Sequence, residues 1–485
     1  MKLKYLLEAT TTLEVKGLVN VEIAGIAYDS RQVKPGWLFV AVGGHEVDGA
    51  DFVPQALANG AVAVVSEGVM DVGARIAHLQ VKSARRALAE IATAYYGDLS
   101  HQIKVVGVTG TNGKTTTGYM IRDLLRSGGH LPGLLGTVAY EVGERTIPAA
   151  RTTPEAPDIH AMFQQMKEAG CDSAVMEVSS HAIDLKRVHG IDFFINVFTN
   201  LTQDHLDYHG DMETYFNVKA SLFEQQVKKN HQSAVINIDD PWGRKMVDEK
   251  KIEAHIVTYG FHERAMVFAS DASMEEGGTR FHVATPWGDA EVELQLLGRF
   301  NIHNALAALA AGGLFGIDLK VMVQALSEIK AIPGRLERVP NRKHRQVFID
   351  YAHTDDALKN VLTTLREVCK GRLVVVFGCG GNRDQGKRKK MGQMAAELAD
   401  YSIVTSDNPR KEEPRLIAAD IIEGFARPEQ FEIVLDRHEA IQRGIHKIGR
   451  KDILLVAGKG HEIYQEIGGT VVPFSDLEAV KEILG

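Results

Sequence analysis

Cysteine is scarce: 485 residues hold only Cys171, Cys369 and Cys379, scattered without paired spacing. That excludes a disulfide framework or a cysteine-rich zinc site and fits thiols kept reduced in a cytosolic protein. Long apolar runs are missing as well; no stretch approaches the roughly 18 apolar residues of a membrane span. The N-terminal MKLKYLLEATTTLEVKG has a short apolar patch, but Glu8 and Glu14 interrupt it and no A-x-A-like cleavage site follows. A cytoplasmic protein that is neither exported nor inserted in a membrane is expected. Nor is there a basic excess. A net charge of −8 argues against non-specific nucleic-acid binding, although a locally positive loop can still meet a polyanionic substrate. Tandem repeats and low-complexity segments are absent. What is present, 45% hydrophobic and 24% charged, is ordinary globular composition at a length that predicts two or three domains.

Three segments separate on pattern. Residues 1–98 alternate short strand-like runs (WLFVAV, AVAVVSE, HLQVKS) with helical stretches such as RRALAEIATAYYG, which predicts a small α/β domain able to hold a ligand. Residues 99–333 open on KVVGVTG and carry buried-strand candidates at SAVMEVSS, FFINVFTN and SAVINID with helices between, the mark of a mainly parallel sheet. Near 255–298 the pattern shortens to AMVFASD, TRFHVAT and AEVELQL, which predicts a small antiparallel flap. Pro333-Gly334 makes a plausible hinge. Residues 334–485 show a second βα alternation, QVFIDY, LVVVFGCGG, YSIVTSD, FEIVLD and ILLVAGKG, expected to form a Rossmann-like sheet. In such sheets ligands bind beyond the strands' carboxyl ends, where GGNRD, SDNPR and GKGHE fall. The expected fold class is α/β in three domains.

The string GVTGTNGKTTT (107–117) lies between a strand and a helix. Gly110 and Gly113 allow backbone N–H groups near phosphate oxygens, with Thr111, Asn112 and Thr116 completing the loop. Lys114 can reach the β/γ-phosphates and Thr115 can hold Mg²⁺. A strict G-x4-G-K-[ST] match needs glycine where this chain has Val108, which points away from GTPases and kinases of ordinary spacing. A nucleoside triphosphate is expected here. Glu177 in VMEVSSH and His205 in NLTQDHLDYHG follow apolar strands and could serve a metal, although a Glu at a strand end is more often solvated or salt-bridged and such a His more often a structural hydrogen-bonder.

GTNGKT, EVSSH, TNLTQDHLDYHG, YFNVKASLF, NIHNALAALAA and DNPR, in this order over nearly the whole chain, resemble the Mur ligase family, and within it the branch that adds diaminopimelate. The resemblance implies an ATP- and Mg²⁺-dependent amide ligase of peptidoglycan precursor synthesis. It gives Lys219 the role of a carboxylated (carbamate) lysine; without it, Lys219 reads as a solvated helix lysine. It implies Thr115, Glu177, His205 and Lys219 as metal ligands, Lys114, Lys219, His205 and Glu177 as the catalytic set, and Asn301, Asn304 and Arg335 as nucleotide contacts. Asp350, ending QVFID, would also face the nucleotide.

For the UDP-MurNAc-dipeptide, the resemblance implies Ser30 and His45 at the diphosphate, although DSR is equally good local turn chemistry. Arg151, Thr152, Thr153, Ser179 and Arg187 would hold the peptide arm; many members carry Asn where this chain has Arg151. For meso-diaminopimelate it implies Arg383, Asp407, Asn408, Pro409, Arg410, Gly458 and Glu462. Taken alone DNPR is an ordinary turn. Lysine lacks the distal carboxylate of diaminopimelate, so an arginine placed for that group would be left unpaired by lysine.

The expected reaction passes through an acyl phosphate on the D-glutamyl γ-carboxylate, with closure about the 333–335 hinge, in a monomer. Competing readings are a lysine-adding ligase, a folylpolyglutamate-synthase-like enzyme, disfavoured by the extra N-terminal domain and by DNPR, and an ATP-driven switch that ligates nothing.

Overall fold

The computed structural model describes residues 1–44, 47–224 and 232–485. His45, expected at the UDP diphosphate, lies outside the described residues. Three sheets follow one another along the chain. The first has five strands in the spatial order Thr12–Lys16, Ala77–Val81, Ala63–Ser66, Trp37–Val40 and Gly25–Ala27, parallel except for the first. Leu38, Val40, Val65 and Leu79 pack on Leu88 and Ile91 of the helix Ala84–Tyr96. Ser83 caps that helix by accepting from the Arg86 amide at 3.3 Å.

The second sheet has eleven strands, with Lys104–Thr109 between Ser173–Glu177 and Phe193–Phe198 in parallel register. Parallel strands covered on both faces need continuous apolar runs, and Ser173–Glu177 is accordingly buried along its whole length. One face is covered by the helices Lys114–Ser127 and Arg299–Leu314. The latter is buried nearly all round, and its Ala and Gly residues permit close approach: a methyl on Gly313 would lie 2.4 Å from the Trp287 ring.

His255–Gly260 pairs parallel with Ser233–Asn237, and Val267–Glu275 pairs parallel with His255–Gly260, so the expected flap is joined to the main sheet. The runs expected as an antiparallel flap are Val267–Glu275, Gly278–Thr285 and Gly288–Leu294, each antiparallel to the next. Their alternation has a packing cause: Val267, Ala269, Phe281, Val283, Val292 and Leu294 turn one face into the core shared with the helix Arg299–Leu314.

The third sheet orders Glu337–Arg338, Gln346–Asp350, Ile453–Ala457, Leu373–Phe377, Tyr401–Val404 and Phe431–Ile433, parallel except for the first. A hairpin, Tyr464–Ile467 with Thr470–Pro473, stands beside it. No helix among the described residues is long and apolar enough to cross a membrane.

Candidate active site

The loop after Lys104–Thr109 is shaped by what a side chain would strike. Gly110 has φ +150°, and a Cβ there would lie 1.9 Å from the Thr199 hydroxyl. Gly113 has φ +86°, and its Cβ would lie 2.5 Å from Asn304 Oδ1. The amides of Thr111 and Asn112 are not free for a ligand, since they donate to Asn200 O and Asn200 Oδ1, both at 2.9 Å. The amides of Gly113, Lys114, Thr115 and Thr116 precede the first intrahelical bond, Thr117 N to Gly113 O, and are the donors left at the helix N-terminus. Lys114 Nζ curls back to Gly110 O at 2.9 Å and Thr111 O at 2.8 Å. Burial lowers its pKa, with Glu177 and Asp204 opposing.

Thr111 to Thr116 line a cleft of about 530 Å³ with Thr152, Glu177, Ser179, His205, Asn304, Arg335 and Asp350. Glu177, 2% exposed, accepts from the Thr115 hydroxyl at 3.1 Å, the Thr137 hydroxyl at 2.8 Å and the Thr137 amide at 2.9 Å. This all-oxygen corner beside the phosphate loop suits a hard cation. His205 sits on the exposed rim, its backbone left-handed at φ +55°, with Nε2 3.3 Å from Asp204. Its pKa is lowered by burial, and His181, Lys114 and Lys219 add to the effect while Asp204 opposes it. Among the described residues no group of three or more His, Cys, Asp or Glu converges as a ready-made metal cage.

Lys219 is not solvated. It is 1% exposed, donates to Gly110 O at 3.0 Å and lies 4.8 Å from the Tyr215 ring centre. Lys114 and Lys219 thus share one carbonyl. Burial first, and Lys114 second, push the Lys219 pKa well below its ordinary value.

Asn301 does not line the cleft. Its Oδ1 accepts from Asn304 Nδ2 at 3.0 Å, and Asn304 accepts from the Thr117 hydroxyl at 3.1 Å, so it acts on the loop through Asn304. Two bonds tie the phosphate loop to the third sheet's segment of chain: Arg335 Nη2 to the Thr115 hydroxyl at 2.9 Å, and Asn112 Nδ2 to Asp356 at 3.0 Å. Asp350 accepts from the amides of Leu336 and Ala352, and burial raises its pKa.

Behind Glu177, Thr153 donates to Glu177 O at 2.8 Å and accepts the Ser179 amide at 3.1 Å. Thr152 meets Thr137 at 3.1 Å. Arg151 and Arg187 converge on the buried Glu155, at 2.7 and 2.9 Å. The Ser30 hydroxyl is directed to Gln55 at 2.7 Å. Asp29 folds the same turn by accepting from the Arg31 amide.

At the carboxyl edge of the third sheet, Asp407–Arg410, Gly380–Arg383 and Gly458–Glu462 come together. A methyl on Gly380 would lie 3.0 Å from Arg410 Nη1 and 3.9 Å from Arg383 Cγ. Arg383 is exposed. A methyl on Gly458 would lie 2.6 Å from Asp407 Oδ2. Arg410, at φ +54°, donates through Nη1 to Gly381 O at 2.8 Å, and its Nε lies 3.2 Å from Glu466. The hairpin holds its backbone: Arg410 N donates to Glu466 O and Gly468 N to Arg410 O. Asn408 donates to Glu462 Oε2 at 2.9 Å. Pro409 lies between them, buried with Asn408.

Sequence reasoning missed Thr137, Asn200, Asp356 and Glu155. Thr137 and Asn200 had a signal, because each follows the carboxyl end of a parallel strand, Pro132–Leu135 and Phe193–Phe198. Asp356 and Glu155 are joined to the site only by tertiary contact.

Three family models match: Mur ligase family, catalytic domain, over 22–96; Mur ligase middle domain over 108–312; and Mur ligase, glutamate ligase domain over 334–460. The chain is 43% identical over 488 residues to a UDP-N-acetylmuramoyl-L-alanyl-D-glutamate–2,6-diaminopimelate ligase of Bacillus cereus, covering 100% of this chain and 98% of the relative. A solved structure of an enzyme with the same printed name is 33% identical, with TM-score 0.70 over 98% of this chain and 99% of that one. A MurF ligase of Thermotoga maritima solved with ADP has TM-score 0.65 at 22% identity over 95% and 96%, a likeness of fold alone.

Proposed function

Because the chain belongs to the Mur ligase family, we propose that it joins meso-diaminopimelate to the D-glutamyl γ-carboxylate of UDP-MurNAc-L-Ala-D-Glu, using ATP. The observation that carries this reading is the pairing of opposite charges at the third sheet's carboxyl edge. Arg410 and Arg383 stand beside Gly380, and Glu462 is joined to the same loop through Asn408. That is a complement to a zwitterion with an extra carboxylate. The name carried by the Bacillus cereus relative supports it.

A γ-carboxylate oxygen attacks the γ-phosphorus of ATP and ADP leaves. The neutral diaminopimelate amine then attacks the acyl phosphate carbon, and the C–O bond to phosphate breaks. The nitrogen gives up one proton, carried off with phosphate, as the amide forms. Lys114 and the helix amides of Gly113 to Thr116 offset charge on the phosphoryl oxygens. Arg335, over the Tyr351 ring at 4.7 Å and bonded to Thr115, ties the third domain to the loop as the reactants meet. Gly334 is wedged against Gly460 and His461, which supports pivoting at Pro333 rather than beyond it.

Thr115 and Glu177 fit Mg²⁺, with His205 and a carbamate on Lys219 as further ligands; when bound, the ion neutralises charge on the transferred group. A carbamate forms from unprotonated amine and CO₂, and Lys219 has the burial and lowered pKa that favour that form. Thr152 and Ser179 in the cleft, with Arg151 and Arg187 nearby, would take the peptide arm, and Ser30 the UDP end. The domain limits we propose are 1–98, 99–333 and 334–485. We propose a monomer, and reduced cysteines with ATP use support a cytoplasmic location.

The direct test is phosphate release from Mg·ATP and UDP-MurNAc-L-Ala-D-Glu with diaminopimelate, lysine or no acceptor. Turnover with diaminopimelate, and at most slow turnover with lysine, is expected. Lysine turnover as fast as that with diaminopimelate would overturn the acceptor assignment, and acceptor-independent turnover the ligase itself.

A further inference from the structure

Lys459 is fully buried, 0% exposed, yet ends at the acceptor pocket. Its Nζ donates to Glu462 Oε2 at 2.7 Å and to Asn408 Oδ1 at 3.1 Å, and lies 5.4 Å from the Tyr464 ring centre. Asn408 closes the triangle by donating to the same Glu462 Oε2 at 2.9 Å, and its Oδ1 also accepts the Glu466 amide at 3.0 Å. Both ends of the Asn408 amide are therefore engaged within the protein, and one Nδ2 hydrogen holds Glu462. Glu462 Oε2 takes two donors, while Oε1 has no hydrogen bond among the described residues and the side chain stays 17% exposed.

We propose that Lys459 is a positioning residue for the acceptor amino acid: it fixes Glu462 by one carboxylate oxygen so that the other faces the acceptor's distal ammonium. A buried ammonium requires a carboxylate partner, so the pair holds the Glu462 carboxylate in one rotamer. The incoming ammonium then meets a preset oxygen and need not order a mobile glutamate. The proposal rests on the reading of Glu462 as the ammonium contact.

The test uses the full chain with Lys459→Met and Glu462→Gln, assayed with meso-diaminopimelate and with 2-aminopimelate, which lacks the distal amine. Lys459→Met is expected to raise the diaminopimelate KM about tenfold or more at nearly unchanged kcat, which is the signature of lost uniform binding. It should leave the KM for 2-aminopimelate, ATP and the UDP-linked precursor within about twofold. A Lys459→Met loss shared equally by both acceptors, or by ATP, would overturn the proposal as general damage. If Glu462→Gln raises the diaminopimelate KM and Lys459→Met does not, the role of Lys459 falls while the acceptor site stands. If neither does, the acceptor site falls with it. Should Lys459→Met fail to fold, Asn408→Ala removes a donor to the same Oε2 and keeps the ion pair. It is expected to show the same selective loss for the amine-bearing acceptor, and equal loss for both acceptors would again refute the proposal.

Discussion

Arg410→Ala isolates the group on which the choice of acceptor turns. Two of its nitrogens are already committed, Nε beside Glu466 at 3.2 Å and Nη1 on Gly381 O at 2.8 Å. One N–H on Nη1 and both on Nη2 are left to meet an incoming carboxylate, and a single such contact sets the lower bound of the effect. One charge-assisted hydrogen bond is worth about 1.5–3 kcal/mol. Taking about 2 kcal/mol, kcat/KM for diaminopimelate should fall about 30-fold, at 1.4 kcal/mol per decade. Lysine has no distal carboxylate, so whatever slow turnover it supports should change less than about threefold. Nucleotide binding, measured by fluorescence titration or calorimetry, should be unchanged, because Arg410 is bonded to the hairpin and Gly381 and not to the phosphate loop. Equal losses for diaminopimelate and lysine, or a parallel loss of ATP affinity, would refute the reasoning.

Lys219→Met should abolish turnover while leaving Tm unchanged or higher, because the buried amine has a carbonyl, Gly110 O, and the Tyr215 ring beside it but no carboxylate among the described residues. Wild-type protein under ¹³CO₂ should show a labelled carbamate carbon by NMR that the variant lacks; full activity of the variant would sink the assignment. His160, buried where the helices Ala84–Tyr96 and Ala156–Glu168 meet, has its pKa lowered by burial from 6.5 to about 4. A histidine depressed in the folded state contributes stability that is full above pH 6.5 and is lost as pH falls toward 4. His160→Phe should therefore flatten the decline of unfolding free energy in that window, measured by denaturant titration at several pH values; an unaltered slope would refute it.

Local physics made much of the protein legible in one dimension. The phosphate loop is a contiguous string whose glycines, lysine and threonine must follow a strand and open a helix, and the structure has that order in Lys104–Thr109 and Lys114–Ser127. The buried strands of the second and third sheets are readable because parallel strands covered on both faces need unbroken apolar runs. The stretch 255–298 was harder. Alternation records that one face of a strand is buried, but a separate flap and the extended edge of a larger sheet produce the same alternation, and only the pairing of His255–Gly260 with Val267–Glu275 decides between them.

The tertiary structure alone determined the state of the chemical groups. Lys219 has the sequence of an exposed helix lysine, and only the packing of its helix beneath the loop places it, buried, on the carbonyl that also holds Lys114. The amides of Thr111 and Asn112 look free in the string and are taken by Asn200, some 90 residues away. Asn408 reads as a ligand contact, and only the fold shows that its amide is also bonded to Glu462 and Lys459. Sequence specifies which groups the backbone can bring to strand ends, because that depends on neighbours along the chain. Which of those groups remain unpaired, charged or exposed depends on neighbours in space, and that the fold alone decides.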